Sequence, residues 1–282
     1  MTYAIDILCN HFTPGNIGRN FLENPAERAT FERLGLMNNL KGREPEEFLR
    51  YLDGVGVDKV LITAIQCGPW FEPEHLARTE AEEVHADAAV DRSRLLGLFG
   101  INPNRRMAGV AQLENAIKAY GFKGAHIHPH GFGHPPSHAV YFPFYAKCAE
   151  LGVPVVLSMG NTTDAMPIEP GRPIHLDPIA LYFPELSIVC THTGWPWISE
   201  AIALATKHRN VFLGTSAYAP KHWTPEFVRF IDAHGRDKVM WGTDFPMISH
   251  ERSLREIENL GLRDESKRKL LRENAMRVFG LE

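Results

Sequence analysis

The sequence predicts one (β/α)8 barrel on three observations: eight short aliphatic or β-branched runs, a helix-compatible stretch between most of them, and no Ser/Gly-rich linker in 282 residues. A single barrel commonly takes roughly 250 residues, so the length fits one such unit. An open, doubly wound sheet is the competing architecture, but no GxGxxG follows an early run and eight evenly spaced units exceed what such a sheet needs. The predicted strands are 3–9, 59–65, 95–102, 122–128, 154–159, 186–192, 211–216 and 238–243.

After the first run the chain enters an insertion, 12–44, that is too long for a turn. A helix over 46–52 follows Pro45, a residue suited to the first helical position. The 109–120 segment has apolar residues at helical spacing, and 142–151 is stopped by Gly152. Further helices are predicted at 196–207, 225–233, 253–260 and 264–278, the last ending before Gly280. The loops 130–141 and 161–178 are also long, and in a barrel they would join the insertion over the C-terminal face as lids.

Composition narrows the function classes. With 30 basic and 34 acidic side chains the formal charge is only −4, and no Lys/Arg block marks a nucleic-acid footprint. No apolar run approaches the ~18 residues of a membrane span, and Asp6 interrupts the first run before a signal-peptide core could form, so the expected location is the cytoplasm. The four cysteines form no CxxC pair, which gives neither a disulfide framework nor a zinc knuckle. The partner expected is a small-molecule substrate, with neither nucleic acid nor membrane, and with a homo-oligomer left open. Histidine is the unusual count, at 14.

A parallel barrel builds its active site from the C-terminal ends of its strands. The fourth run ends Ala125-His-Ile-His128, and strand alternation puts His126 and His128 on one face, opposite Ile127. The sixth ends Cys190-Thr-His192 and the eighth Gly242-Thr-Asp244, each placing an ionisable group where the apolar run stops. Imidazoles converging with one carboxylate suit proton transfer or a divalent metal. His130, His134 and His138 lie in a Gly/Pro-rich loop and read as loop residues. Arg172 is a candidate clamp for a substrate carboxylate, with a surface salt bridge as the plain alternative. Trp195 is a candidate pocket wall, and Ser158 and Ser216 offer hydroxyls from neighbouring strands.

The runs Cys190-Thr-His-Thr-Gly-Trp-Pro-Trp197, Asn210-Val-Phe-Leu-Gly-Thr-Ser216 and Met240-Trp-Gly-Thr-Asp-Phe-Pro246 resemble the second half of the amidohydrolase-2 family. That family includes aminocarboxymuconate semialdehyde decarboxylase, resorcylate-type decarboxylases and lactone hydrolases. Phe122-Lys-Gly-Ala-His-Ile-His128, the opening Ile5-Asp6 and the closing Asn274-Ala-Met-Arg-Val-Phe279 extend the resemblance over nearly the whole chain. It implies a barrel and, in metal-dependent members, an HxH pair on strand one, histidines on strands five and six and an aspartate on strand eight.

Here His192 and Asp244 keep the last two positions, while Ser158 stands at the fifth-strand one. On strand one, an ungapped match puts Leu8 and Asn10 at the HxH positions; one bulged residue would instead present Cys9 and His11. The expectation is therefore a metal-free acid/base site, with zinc or manganese as the alternative, since catalytic zinc takes about three protein ligands. The expected reaction is hydrolysis of a lactone or amide in a small carboxylated, unsaturated or cyclic acid. Asp244 would be the general base, His192 an oxyanion donor, and His126 and His128 would hold the substrate. Metal-dependent non-oxidative decarboxylation and a catalytically degenerate binding barrel are the two alternatives.

Overall fold

The computed structural model describes residues 3–68, 77–162 and 166–282. Eight parallel strands run in the order β1 (Ala4–Asn10), β2 (Val57–Thr63), β5 (Leu95–Gly100), β6 (Gly124–Ile127), β7 (Val155–Leu157), β8 (Ile188–Cys190), β9 (Val211–Gly214) and β10 (Val239–Met240). The intervening β3 (Gln66–Cys67) and β4 (Ala77–Arg78) form a small antiparallel hairpin at the strand ends. Three backbone bonds join the last strand to the first: Ile7 N–H to Trp241 O, Asp244 N–H to Leu8 O and Asn10 N–H to Phe245 O. The sheet thus closes as a (β/α)8 barrel.

The period of two divides each strand between two cores. Leu61, Leu98, Val156, Val189, Phe212 and Met240 fill the barrel interior, while alternate residues such as Ile62, Ala125, Leu157 and Cys190 pack under the helices. Toward the C-terminal ends the inward positions turn polar: Asn10, Thr63, His126 and Ser158 all line one cavity.

Strand β1 departs from this alternation. Ile5, Ile7 and Leu8 all belong to the interior core, Cys9 belongs to the outer one, and the pairing register with β2 shifts between Asp6 and Cys9. This is a bulge, which takes one backbone N–H out of the ladder. Asp6 makes good that loss, its Oδ1 accepting the Leu8 N–H at 3.0 Å. The same carboxylate accepts the Thr243 N–H and hydroxyl and bonds His250 Nε2 at 2.9 Å, so it joins the bulge to the seam of the barrel. A bulge therefore exists, but it turns Leu8 and Asn10 inward, as the ungapped match had them, and leaves Cys9 facing the helices.

The insertion is helical. Asn24 caps the helix Pro25–Arg33 with its side-chain oxygen, and Pro25 occupies the first turn, where a missing N–H costs nothing. Thr79, just past β4, donates to Asn16 Oδ1 at 2.7 Å and accepts from Asn20 Nδ2 at 3.0 Å, which pins the insertion to the segment after the hairpin. The predicted loop 161–178 instead contains two short 3-10 turns and the start of a helix, Leu176–Tyr182. The helix Ala81–Asp87, with a Glu80/Glu83 capping box, is an element that the sequence pattern left unassigned.

Candidate active site

A cavity of about 430 Å³ opens at the C-terminal face, within the range of small-molecule sites. His126, His128, His192, Asp244, Ser158 and His11 all line it. Ser216 sits one layer behind, its Oγ 2.9 Å from His192 Nδ1. It also accepts the His192 backbone N–H at 3.4 Å, so one hydroxyl holds both the ring and the backbone of His192. His126 Nε2 is paired in the same way with Ser158 Oγ at 2.9 Å.

Two strand-end residues, His192 (φ 57°) and Asp244 (φ 56°), and the adjacent Ala217 (φ 62°) lie in the left-handed region, which non-glycine residues rarely occupy. Such strain concentrates where a site over-determines its side chains. Here it turns His192 and Asp244 off their strands at the cavity wall.

Burial sets the electrostatics. It depresses His126 and His192 to about 3 and drives His128 well below the usual imidazole range, with neighbouring imidazoles adding to the effect on His128 and His192. All three rings are therefore neutral at physiological pH. Burial also raises the Asp244 carboxyl to about 8, against a lowering hydrogen bond from Asn10 Nδ2 to Oδ1 at 2.9 Å. Negative charge on Glu27 and Asp6 adds to the rise. The mouth thus holds a protonated Asp244 carboxyl beside neutral imidazoles, and the Nδ1 atoms of His126 and His128 have no partner among the described residues.

Two expected contacts stand apart from the cavity. The Arg172 guanidinium is exposed and forked onto Glu200, with Nη2–Oε1 at 2.7 Å, so it is already committed at the surface and offers no clamp. Trp195 is 38% exposed and does not itself line the cavity; its ring lies 5.2 Å from that of Tyr218, which does. His11 reaches the wall, with Nδ1 3.2 Å from Thr13 Oγ1 and Nε2 3.2 Å from Asp87. His130, read from the sequence as a loop residue, lies against the backbone of the next loop, Nε2 2.8 Å from Gly160 O.

The cavity also has members outside the sequence argument. Glu27 and Phe31 come from the insertion helix, and Thr63 and Cys67 from β2 and the hairpin. The one available signal for the insertion was Asn24-Pro25 ahead of a helix-compatible stretch, which marks a helix start but not the direction of its side chains.

Metal coordination can be judged from the donor set. At the positions where the family keeps its ligands this chain has Leu8, Asn10, Ser158, His192 and Asp244, leaving one imidazole and one carboxylate. Among the described residues, the one group of three His, Cys, Asp or Glu donors within 4.8 Å is Asp6, Cys9 and His250. Its composition suits a divalent ion, yet it does not line the cavity. Asp6 is taken by the seam, and burial raises the Cys9 thiol well above its ordinary value. The mouth itself does not fit the family's metal.

The amidohydrolase family profile matches residues 11–281, and the chain belongs to this family, of the amidohydrolase-2 type. No protein of curated function matches the sequence. Among solved structures, an uncharacterized TIM-barrel protein from Bordetella bronchiseptica superposes with a TM-score of 0.78 at 20% identity, covering 99% of this chain and 98% of its own. The 5-carboxyvanillate decarboxylase of Sphingomonas paucimobilis gives 0.73 at 17% identity, with 100% of both chains covered. A dihydroxybenzoic acid decarboxylase from a Polaromonas species, crystallised with manganese and an inhibitor, also gives 0.73 at 17% identity, covering 100% of this chain and 98% of its own. Among the described residues no helix is long and apolar enough to cross a membrane.

Proposed function

We propose that this protein is a non-oxidative decarboxylase of a small hydroxylated aromatic acid, working through its own acid and base groups. The observation that carries the reading is the protonated Asp244 carboxyl at the cavity wall. A hydrolase needs a group there that takes a proton from water, and an aspartate that keeps its own proton to about pH 8 is poorly suited to it. Decarboxylation consumes a proton at the carbon that loses CO2, which a protonated carboxyl can deliver. This displaces lactone or amide hydrolysis as the preferred reaction. The decarboxylases of similar fold support the same choice.

In this mechanism the aromatic ring packs between Phe31 and Tyr218, the latter backed by Trp195. The neutral rings of His192, His126 and His128 form the polar side of the cavity, so they orient the carboxylate without trapping it in an ion pair. Asp244 protonates the ring carbon; the carbon–carboxyl bond then breaks, its electron pair returns to the ring, and CO2 departs. Asp244 regains a proton from solvent. In the manganese-holding relatives a divalent ion would supply charge stabilisation at the acid's oxygens; here His192 and Asp244 are the only residues left at those positions to hold one.

The test is CO2 release from a panel of mono- and dihydroxybenzoic acids, followed against pH. Because the folded-state carboxyl titrates near 8 and acts protonated, kcat is expected to fall about tenfold per unit above that pH. No CO2 from any member, or hydrolysis of a lactone or amide panel instead, would remove the reading.

A further inference from the structure

We propose that Glu27, carried into the mouth by the insertion helix, is a second acid–base residue of this site and takes the proton of the substrate's ring hydroxyl. The assignment rests on the decarboxylase reading for its substrate class. Glu27 lines the same cavity as Asp244 although it comes from the opposite end of the chain. Its carboxyl has no hydrogen bond or ion pair among the described residues, whereas the nearby acids Glu32 and Glu83 are both paired with arginines. It lies near enough that its charge opposes ionisation of both Asp244 and Cys67. The helix that carries it is fixed at its start by the Asn24 cap and by the Asn16/Asn20/Thr79 ties, so the carboxyl is positioned by structure rather than presented on a loose surface.

Burial raises Glu27 to about 7, and Asp244 titrates above it. Glu27 can therefore exchange a proton near neutral pH, and two carboxyl groups that line one cavity can take opposite roles there. Each proton is accounted for. Ionised Glu27 accepts the hydroxyl proton as oxygen electrons flow into the ring, and the carbon bearing the carboxylate takes the Asp244 proton. Breaking the carbon–carboxyl bond then returns its pair to the ring and leaves a phenolate. Glu27 gives its proton back to that phenolate, so the net change is one proton consumed and one CO2 released.

Two measurements test this. First, Glu27→Gln is expected to lower kcat for the hydroxylated acid by about 10²-fold or more with KM changed little, and Glu27→Asp to recover part of the loss. Second, 4-nitrophenol, which has no carboxyl group to lose, is expected to show the nitrophenolate absorbance on binding the wild-type protein and to stay protonated on binding Glu27→Gln. This absorbance reports on Glu27 whether or not any acid is decarboxylated. If wild type and Glu27→Gln ionise bound nitrophenol equally, or Glu27→Gln keeps the wild-type kcat, the assignment falls while the decarboxylase reading stands. If the nitrophenol binds neither protein, the hydroxyl-bearing substrate class falls and the Glu27 role with it. A ligand ionised by wild type alone, with no CO2 from any acid, keeps Glu27 as a base and removes the decarboxylase.

Discussion

Asp244→Asn is expected to lower kcat for CO2 release by about 10²–10⁴-fold, the range over which a positioned acid contributes. The substitution is a clean one. Asparagine tolerates the left-handed backbone that Asp244 adopts at φ 56°, and its Oδ1 can still accept from Asn10 Nδ2. What it removes is the carboxyl proton. Substrate binding measured by calorimetry should change little, since the orienting imidazoles and the ring contacts remain. A variant with more than a tenth of wild-type turnover would show that another group delivers the proton.

The second large effect concerns stability. Asp6→Ala is expected to destabilise the protein by about 3–5 kcal/mol, because its removal leaves buried partners unpaired. The carboxylate is wholly buried and serves the Leu8 and Thr243 N–H groups, the Thr243 hydroxyl and His250, which joins the strand-one bulge, the barrel seam and a buried helix residue. Asp6→Asn keeps one acceptor and should lose less. Urea unfolding checks both, with the midpoint shifting and the slope unchanged. A loss below about 1 kcal/mol for Asp6→Ala would mean that the seam closes without it.

The placement of polar residues at the strand ends was legible in the sequence because it follows from two local rules. Alternation fixed His126 against Ile127, and a polar residue where an aliphatic run stops identified His192 and Asp244 before any contact was known. The strand-one register was not legible in the same way. It depends on which backbone N–H is left out of the ladder and which acceptor compensates, and that acceptor, Asp6, lies inside the apolar run, where the sequence reads it only as an interruption. Arg172 shows the opposite failure: its charge and loop position suited a clamp, but its partner Glu200 arrives from the following βα unit. Glu27 was beyond local reading, since a carboxyl on a polar insertion helix is ordinarily solvated and only the tertiary placement of that helix brings it to the cavity that Asp244 lines.

The departures from the family pattern bear together on mechanism. Asn10 replaces a ligand position with a hydrogen-bond donor to Asp244, and Ser158 replaces another with a partner for His126. Both changes convert coordination into hydrogen bonding while leaving the carboxyl and imidazole of the last strands in place. The most direct measurement is therefore CO2 release by protein stripped with a strong chelator, with its metal content determined on the same sample. The account predicts an undiminished kcat at far less than one metal ion per chain; activity lost with the metal and restored by manganese alone would contradict it.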